Sequence, residues 1–220
     1  GPLAVGIQQG CMFAKSREQE KTPDIQFHFG TLSADMTAGK PHKWPGFTMS
    51  VCQLRPSSRG ELRIRSKNPK DAPLIEPNYL ATEEDRQTMV RGFKMARKLA
   101  ASQAMAGYIA EEYNPGVSVQ TEEDMLNFVR RNGSSIFHPV GTCKMGNGPE
   151  AVVDERLRVR GLNGLRVIDC AIMPTLCSGN TNAPAMMIGE KGAAMILQDE
   201  RCPKVRTSSA APIGNPTMTA

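Results

Sequence analysis

From Ile25 to Phe29 apolar and polar side chains alternate, Ile-Gln-Phe-His-Phe. A period of two marks a strand with one face buried. Phe47 to Leu54 repeats it, with Phe47, Met49 and Val51 on one side. Arg55-Pro56-Ser57-Ser58-Arg59-Gly60 supplies turn residues, and Glu61 to Arg65 alternates again. Two strands about a short turn predict an antiparallel hairpin. Lys67 to Asn78 carries three prolines and predicts an irregular connection.

Two helices are marked by their starts. Thr82-Glu83-Glu84-Asp85 sets a capping hydroxyl and acidic residues before an apolar stripe of Met89, Val90, Phe93, Ala96 and Leu99. Thr121-Glu122-Glu123-Asp124 does the same before Met125, Leu126, Phe128 and Val129. Leu165 to Ile168 predicts a short buried strand, and Ala185 to Gln198 a helix with Met187, Ile188, Met195 and Ile196 as core contacts. Beyond Asp199 the chain turns polar, and Pro203 to Ala220 is expected to be a mobile tail. No internal repeat is present.

Composition changes this picture little. The 220 residues are 40% hydrophobic and 22% charged, an ordinary globular balance. A chain of this size buries roughly 70% of its unfolded surface and needs no disulfide or metal to fold. No run approaches the ~18 apolar residues of a membrane span. The start, Gly1-Pro2-Leu3-Ala4-Val5-Gly6, shows no signal-peptide pattern. The net charge is +5. Arg55, Arg59, Arg63, Arg65, Lys67 and Lys70 gather in one stretch, but no aromatic sits among them to stack on bases. They read as outward residues of a strand and its turn, with no nucleic-acid partner expected. Six cysteines form no CxxC pair and the histidines are scattered, so a zinc cluster is not expected. A reduced, cytoplasmic protein is the default. Trp44 reads as a packed loop anchor rather than a substrate lid, and most of the 13 methionines as core filling.

The chemistry concentrates in Ser134-Ser-Ile136-Phe-His138-Pro-Val-Gly-Thr-Cys143-Lys-Met-Gly146. Proline and glycine around the histidine make a loop that positions one imidazole. Downstream, Asp169-Cys170-Ala171-Ile172-Met173-Pro174 follows an apolar run, and Cys177-Ser-Gly-Asn180-Thr-Asn182-Ala183-Pro184 leads into a helix. Taken alone, Asn180-Thr181-Asn182 reads as a turn with a helix cap.

These motifs resemble the C-terminal part of the glucose-methanol-choline (GMC) family of flavin oxidoreductases. The resemblance rests on His138 to Gly146, Val153-Asp154, Leu157 to Gly161, Gly164 to Asp169, Met173-Pro174, Gly179 to Pro184 and Met187 to Glu190. Pro23 to Phe27, Leu54 to Gly60 and Pro77 to Leu80 fit as well, so it covers roughly Phe13 to Asp199. Within the family the chain is most similar to choline-dehydrogenase-like alcohol dehydrogenases. The family's GxGxxG loop, which holds the adenosine diphosphate part of FAD, does not occur here. The resemblance therefore implies a C-terminal portion that works with an N-terminal FAD-binding portion, from the same gene or a separate chain.

It also implies an α+β fold: an antiparallel-sheet substrate domain with helices on one face, plus a C-terminal segment completing a Rossmann-like FAD domain. The implied division is 1–135 for a partial substrate-binding domain, 136–200 for the active-site loop and return segment, and 201–220 for a flexible tail. His138 would be the base that removes a hydroxyl proton from a small-molecule alcohol while hydride passes to flavin N5. An imidazole with an ordinary pKa of about 6.5 suits that task. Asn180 would orient the substrate oxygen, since an amide cannot act as a base. Asp169 and Cys170 would meet the ribityl and diphosphate region of FAD, Cys170 as a packed thiol. Asn182, Ala183 and Pro184 would lie near the flavin pyrimidine edge, and Ile136 would line the substrate pocket. Two alternatives stay open: a hydroxynitrile lyase of the same family, and a non-catalytic fragment lacking the flavin domain. The isolated piece is expected to be inactive.

Overall fold

A computed structural model describes Gly6 and residues 8–35 and 40–201. The expected tail from Pro203 lies outside the described residues. The elements are β1 (Gln8–Ala14), β2 (Ile25–Gly30), β3 (Ala34–Asp35), β4 (Lys40–Pro41), β5 (Thr48–Gln53), β6 (Glu61–Arg63), β7 (Leu74–Glu76), α1 (Glu83–Ala100), α2 (Gln103–Ala106), α3 (Glu122–Asn132), a 3₁₀ turn (Cys170–Ile172) and α4 (Asn182–Arg201). The fold is α+β, with small antiparallel sheets and helices.

β2 is the centre of a three-stranded sheet of order β1-β2-β5. In its antiparallel register Gln26 faces Phe13 and Cys52, while His28 faces Cys11 and Ser50. Because side chains alternate, Ile25 and Phe27 share the opposite face. That face is dry: both are fully buried, and Gly92 of α1 sits directly over Ile25 and Val51. α3 then packs on α1, with the Phe93 and Phe128 rings edge-to-face at 5.9 Å.

The two expected helix starts hold. Thr82 accepts from the Asp85 amide at the head of α1. Thr121 and Asp124 form a reciprocal capping box on α3. Asp85 does more than cap. Its buried carboxylate takes Gln53 Nε2 at 2.8 Å, Ser57 N at 2.8 Å and Ser58 N at 2.9 Å. Burial alone would raise its pKa, but hydrogen bonds from Ser58, Ser57 and Gln53 outweigh that and hold it well below the carboxylate range.

This grip explains why the expected hairpin does not form. By holding Ser57 and Ser58 at the head of α1, Asp85 turns the chain away from β5. β5 pairs with β2 instead, and β6 pairs with β7, which lies inside the stretch expected to be irregular. Between α1 and α3 one guanidinium organises the loop. Arg97 forks onto Glu112, with Nε–Oε2 and Nη2–Oε1 both 2.9 Å, and donates to the Val119 carbonyl at 2.6 Å and the Gly116 carbonyl at 3.2 Å. It also lies 4.8 Å over the Phe93 ring. Trp44 stacks on His42 at 4.5 Å and meets Tyr113 edge-on at 5.2 Å, in an aromatic group at the surface whose Trp44 and Tyr113 rings stay half exposed rather than packed as expected.

After α3 the chain is mostly coil around a second core of Val153, Leu157, Ile172 and Ile188. The expected strand at Leu165–Ile168 is absent. Leu165 is exposed, and only one bridge, Arg158 to Arg166, forms there. Its neighbours are short turns that offer isolated bonds, Val159 N to Leu165 O and Val167 N to Leu157 O, rather than a ladder. α4 begins at Asn182, three residues earlier than expected, because Pro184 falls in the first turn, where its missing N–H costs nothing. Ile188 is a core residue as expected and Met195 packs beside it, but Met187 faces outward. Asp199 near the end of α4 pairs with Arg156 and Arg166, tying the helix to the coil.

Candidate active site

His138 lies in the loop between α3 and the second core. Its predecessor Phe137 is held in the left-handed region, φ 60°, with its ring exposed. The loop beyond is fastened to the 3₁₀ turn by Cys143 N to Ala171 O at 2.9 Å and Met145 N to Ile172 O at 2.8 Å. The same turn reaches the segment before α4, since the Cys170 thiol donates to the Thr181 carbonyl at 3.6 Å. Two loops far apart in sequence are therefore clamped to one short element.

The result is a contact between the two motifs. His138 Nε2 is 2.8 Å from Asn180 Nδ2, and His138 Nδ1 is 2.8 Å from Thr181 Oγ1. The Thr181 amide approaches Nδ1 at 3.4 Å. Thr181 is buried, and its carbonyl accepts the first helical bond of α4 from Ala185. It thus joins the imidazole to the helix start. On the other side, Gln26 Nε2 reaches Asn180 Oδ1 at 3.3 Å. His28, two residues on along the same face of β2, is held below its ordinary pKa, first by burial and then by the charge of His138. The polar face of the central strand is a wall of the site.

The other expected residues lie around this contact. Asp169 is exposed, and its Oδ1 accepts from Ala171 N at 2.7 Å, capping the 3₁₀ turn. Cys170 packs against the second core. Asn182 and Ala183 open α4 with exposed side chains, Pro184 is half-buried behind them, and no acidic residue stands in this first turn. Ile136 is 43% exposed, two residues before the histidine. Among the described residues no group of His, Cys, Asp and Glu could hold a metal ion.

Sequence reasoning missed Gln26, His28 and Thr181. All three sit inside segments it had read correctly as strand or helix lead-in. The available signal was position: on a central strand, the second face is covered as well as the first.

The family model described as GMC oxidoreductase, C-terminal part, matches residues 56–189, more than half of the chain. The chain belongs to the GMC oxidoreductase family. This GMC chain is 40% identical over 198 residues to an alcohol dehydrogenase [acceptor] of Pseudomonas putida, covering 90% of this chain and 36% of that one. To an oxygen-dependent choline dehydrogenase of Escherichia coli K12 it is 41% identical, covering 87% of this chain and 34% of that one. It spans about a third of the length of these curated relatives. Among solved structures, pyridoxine 4-oxidase from Mesorbium loti superposes with TM-score 0.80 at 28% identity, covering 87% of this chain and 38% of that one. An FAD-dependent oxidoreductase from Chaetomium thermophilum gives TM-score 0.70 at 28% identity, covering 84% and 30%.

Proposed function

We propose that this GMC chain is the C-terminal, substrate-side portion of an FAD-dependent oxidoreductase acting on the CH–OH group of a small alcohol. The observation that carries the reading is the 2.8 Å contact between His138 and Asn180, made by two motifs more than 40 residues apart. His138 takes the hydroxyl proton, and Asn180 holds the substrate oxygen beside it. Ile136 lines the pocket.

The residues present fit a flavin. The start of α4 carries no acidic residue in its first turn and is followed by Met186 and Met187, 60% and 59% exposed. Such a helix end favours an anionic ring edge. Asn182, Ala183 and Pro184 would hold that edge, and Asp169 and Cys170 the ribityl and diphosphate region. When bound, the flavin supplies the hydride acceptor. Residues 1–135 then form part of the substrate domain, and 136–200 the active-site loop and return to a Rossmann-like FAD domain contributed by an N-terminal portion. The relatives named above are oxidoreductases, which favours this reading over a lyase. A cytoplasmic location agrees with Cys11, Cys52, Cys143, Cys170 and Cys177 all being free thiols. Among the described residues no helix is long and apolar enough to cross a membrane.

The test is His138→Ala in a flavoprotein that joins this chain to its FAD-binding portion. Flavin reduction by alcohol at pH 7 should slow by about 10²- to 10⁴-fold with flavin content unchanged. Undiminished turnover would remove His138 from the chemistry.

A further inference from the structure

We propose that Gln26 is a positioning residue for the His138–Asn180 pair, fixing which way the Asn180 carboxamide faces and so which imidazole nitrogen carries the lone pair. The proposal rests on the reading of His138 as base.

Gln26 is only 3% exposed, the second residue of the central strand. Burying a carboxamide is unfavourable unless it is hydrogen-bonded, and a plain strand interior would take an apolar side chain there. The one bond from its side chain to a described residue runs from Nε2 to Asn180 Oδ1 at 3.3 Å. Its Oε1 is buried and meets no donor among the described residues. The amide is therefore spent on Asn180.

A carboxamide has one end that only donates and one that only accepts. With Oδ1 taken by Gln26, Asn180 must turn Nδ2 toward His138 Nε2, 2.8 Å away. Nδ2 can only donate, so Nε2 must be the bare nitrogen. An N–H there would set two donors face to face. The proton of the neutral imidazole then lies on Nδ1, directed at Thr181 Oγ1 at 2.8 Å. Thr181 Oγ1 can donate or accept and fits either tautomer, so the choice is made from the Asn180 side, against the Thr181 amide, which can only donate and lies 3.4 Å from Nδ1. Reversing Gln26 would reverse every bond: Oε1 to Asn180 Nδ2, Oδ1 to an N–H on Nε2, and the lone pair on Nδ1 against Thr181. The direction of one buried amide is thus coupled, through Asn180, to whether the lone pair of the base faces Asn180 or is hidden against Thr181.

The titratable groups around the imidazole are few. His28 faces it from β2, and its charge and that of His138 oppose each other. The Cys177 thiol bonds the Gly179 carbonyl at 3.5 Å and the Asn180 carbonyl at 3.9 Å. The Cys170 thiol bonds the Thr181 carbonyl, and Asp169 caps the 3₁₀ turn. None of these duplicates the work of Gln26 on Asn180.

The experiment compares Gln26→Glu, Gln26→Leu and His138→Ala in the same flavoprotein, reading the rate of flavin reduction by alcohol against pH and the imidazole ¹⁵N shifts. Glutamate matches glutamine in shape, but a carboxylate only accepts. It should flip Asn180, place the proton on Nε2, and raise the ionisation that governs kcat/KM by about one unit or more. The rate at pH 7 then falls about tenfold or more, because more of the base is protonated. Leucine should leave a mixture of tautomers and a lower kcat with KM little changed. Flavin content should stay constant in both. Wild-type rates, pH profiles and ¹⁵N shifts in both variants would overturn the proposal. If glutamate blocks folding, the leucine variant and its ¹⁵N shifts decide. Full turnover in His138→Ala would defeat the base reading instead, while an inactive His138→Ala beside silent Gln26 variants would defeat only the role of Gln26.

Discussion

Each of the two long helices rests one glycine against the rest of the molecule, but on different supports. α1 lays Gly92 on the sheet, where a Cβ would stand 2.5 Å from Val51 Cγ1 and 3.0 Å from Ile25 Cδ1. α4 lays Gly192 on coil, where a Cβ would collide with Ile168 Cγ2 and stand 2.9 Å from its Cδ1. The first support is a ladder of β2 and β5 whose register fixes both contacts together. The second is a single side chain on a segment held by isolated backbone bonds, a small apolar cluster and the arginine pair on Asp199. The site straddles the two. The sheet supplies Gln26 and His28 from a regular spacing, and the coil supplies His138 from one clamped loop and Asn180 and Thr181 from another. Regular structure gives a rigid wall, and clamped loops give individually placed groups on it.

The largest effects separate the two cores. Phe27→Ala should cost about 3–5 kcal/mol and Ile172→Ala about 2–5 kcal/mol in urea unfolding. Only the second should speed hydrogen exchange at the Cys143 and Met145 amides, which bond the 3₁₀ turn. Equal exchange in both variants would mean that the regions open as one unit.

Next comes the link between sheet and α1. Asp85→Asn should cost about 1.5–3 kcal/mol at pH 7, since it weakens hydrogen bonds to a buried charge. The sign with pH follows from the depressed value of the folded state. The stabilisation is full above the unfolded carboxylate value of about 3.9 and is lost as pH falls below it. Acid unfolding curves of the variant should therefore be flatter below about pH 4 than those of the wild type.

The glycines test the comparison directly. Gly92→Ala and Gly192→Ala should each overpack, at about 1–3 kcal/mol, partly offset by the better helix propensity of alanine. Gly92→Ala should cost more, because two strands must move rather than one side chain on coil. A larger loss from Gly192→Ala would show the coil to be the stiffer support. The smallest effect is Thr121→Ala, about 1 kcal/mol from the capping box, read as a lower urea midpoint with no change in flavin reduction.

Much of the sheet-and-helix half was legible in the sequence because its signals are local. Alternation marked β2 and β5, and hydroxyl-acid runs marked the heads of α1 and α3 to the residue. What failed was pairing. β5 was assigned to the next strand in sequence, and nothing in Arg55–Gly60 announces that Asp85, some 27 residues on, holds Ser57 and Ser58. The strand at Leu74–Glu76 was hidden by prolines on both sides, and the apolar run at Leu165–Ile168 has no partner strand to join. In the site, the motifs marked His138 and Asn180, and the chain brings them into contact. Gln26 and His28 were read as the polar side of a half-buried strand. Alternation reports which face is apolar. It does not report that the other face is wet.

Arg97 carries a lesson for anyone grading natural variants of this chain. Scoring schemes based on residue class treat arginine to lysine as benign. At this position the planar fork serves two carboxylate oxygens and two carbonyls at three points along one loop while sitting over a ring. An ammonium donates from a single point and has no face to stack. A charge-preserving exchange there would leave the 112–119 crossing without its mortar, and a reader of the variant's phenotype should look first to that connection.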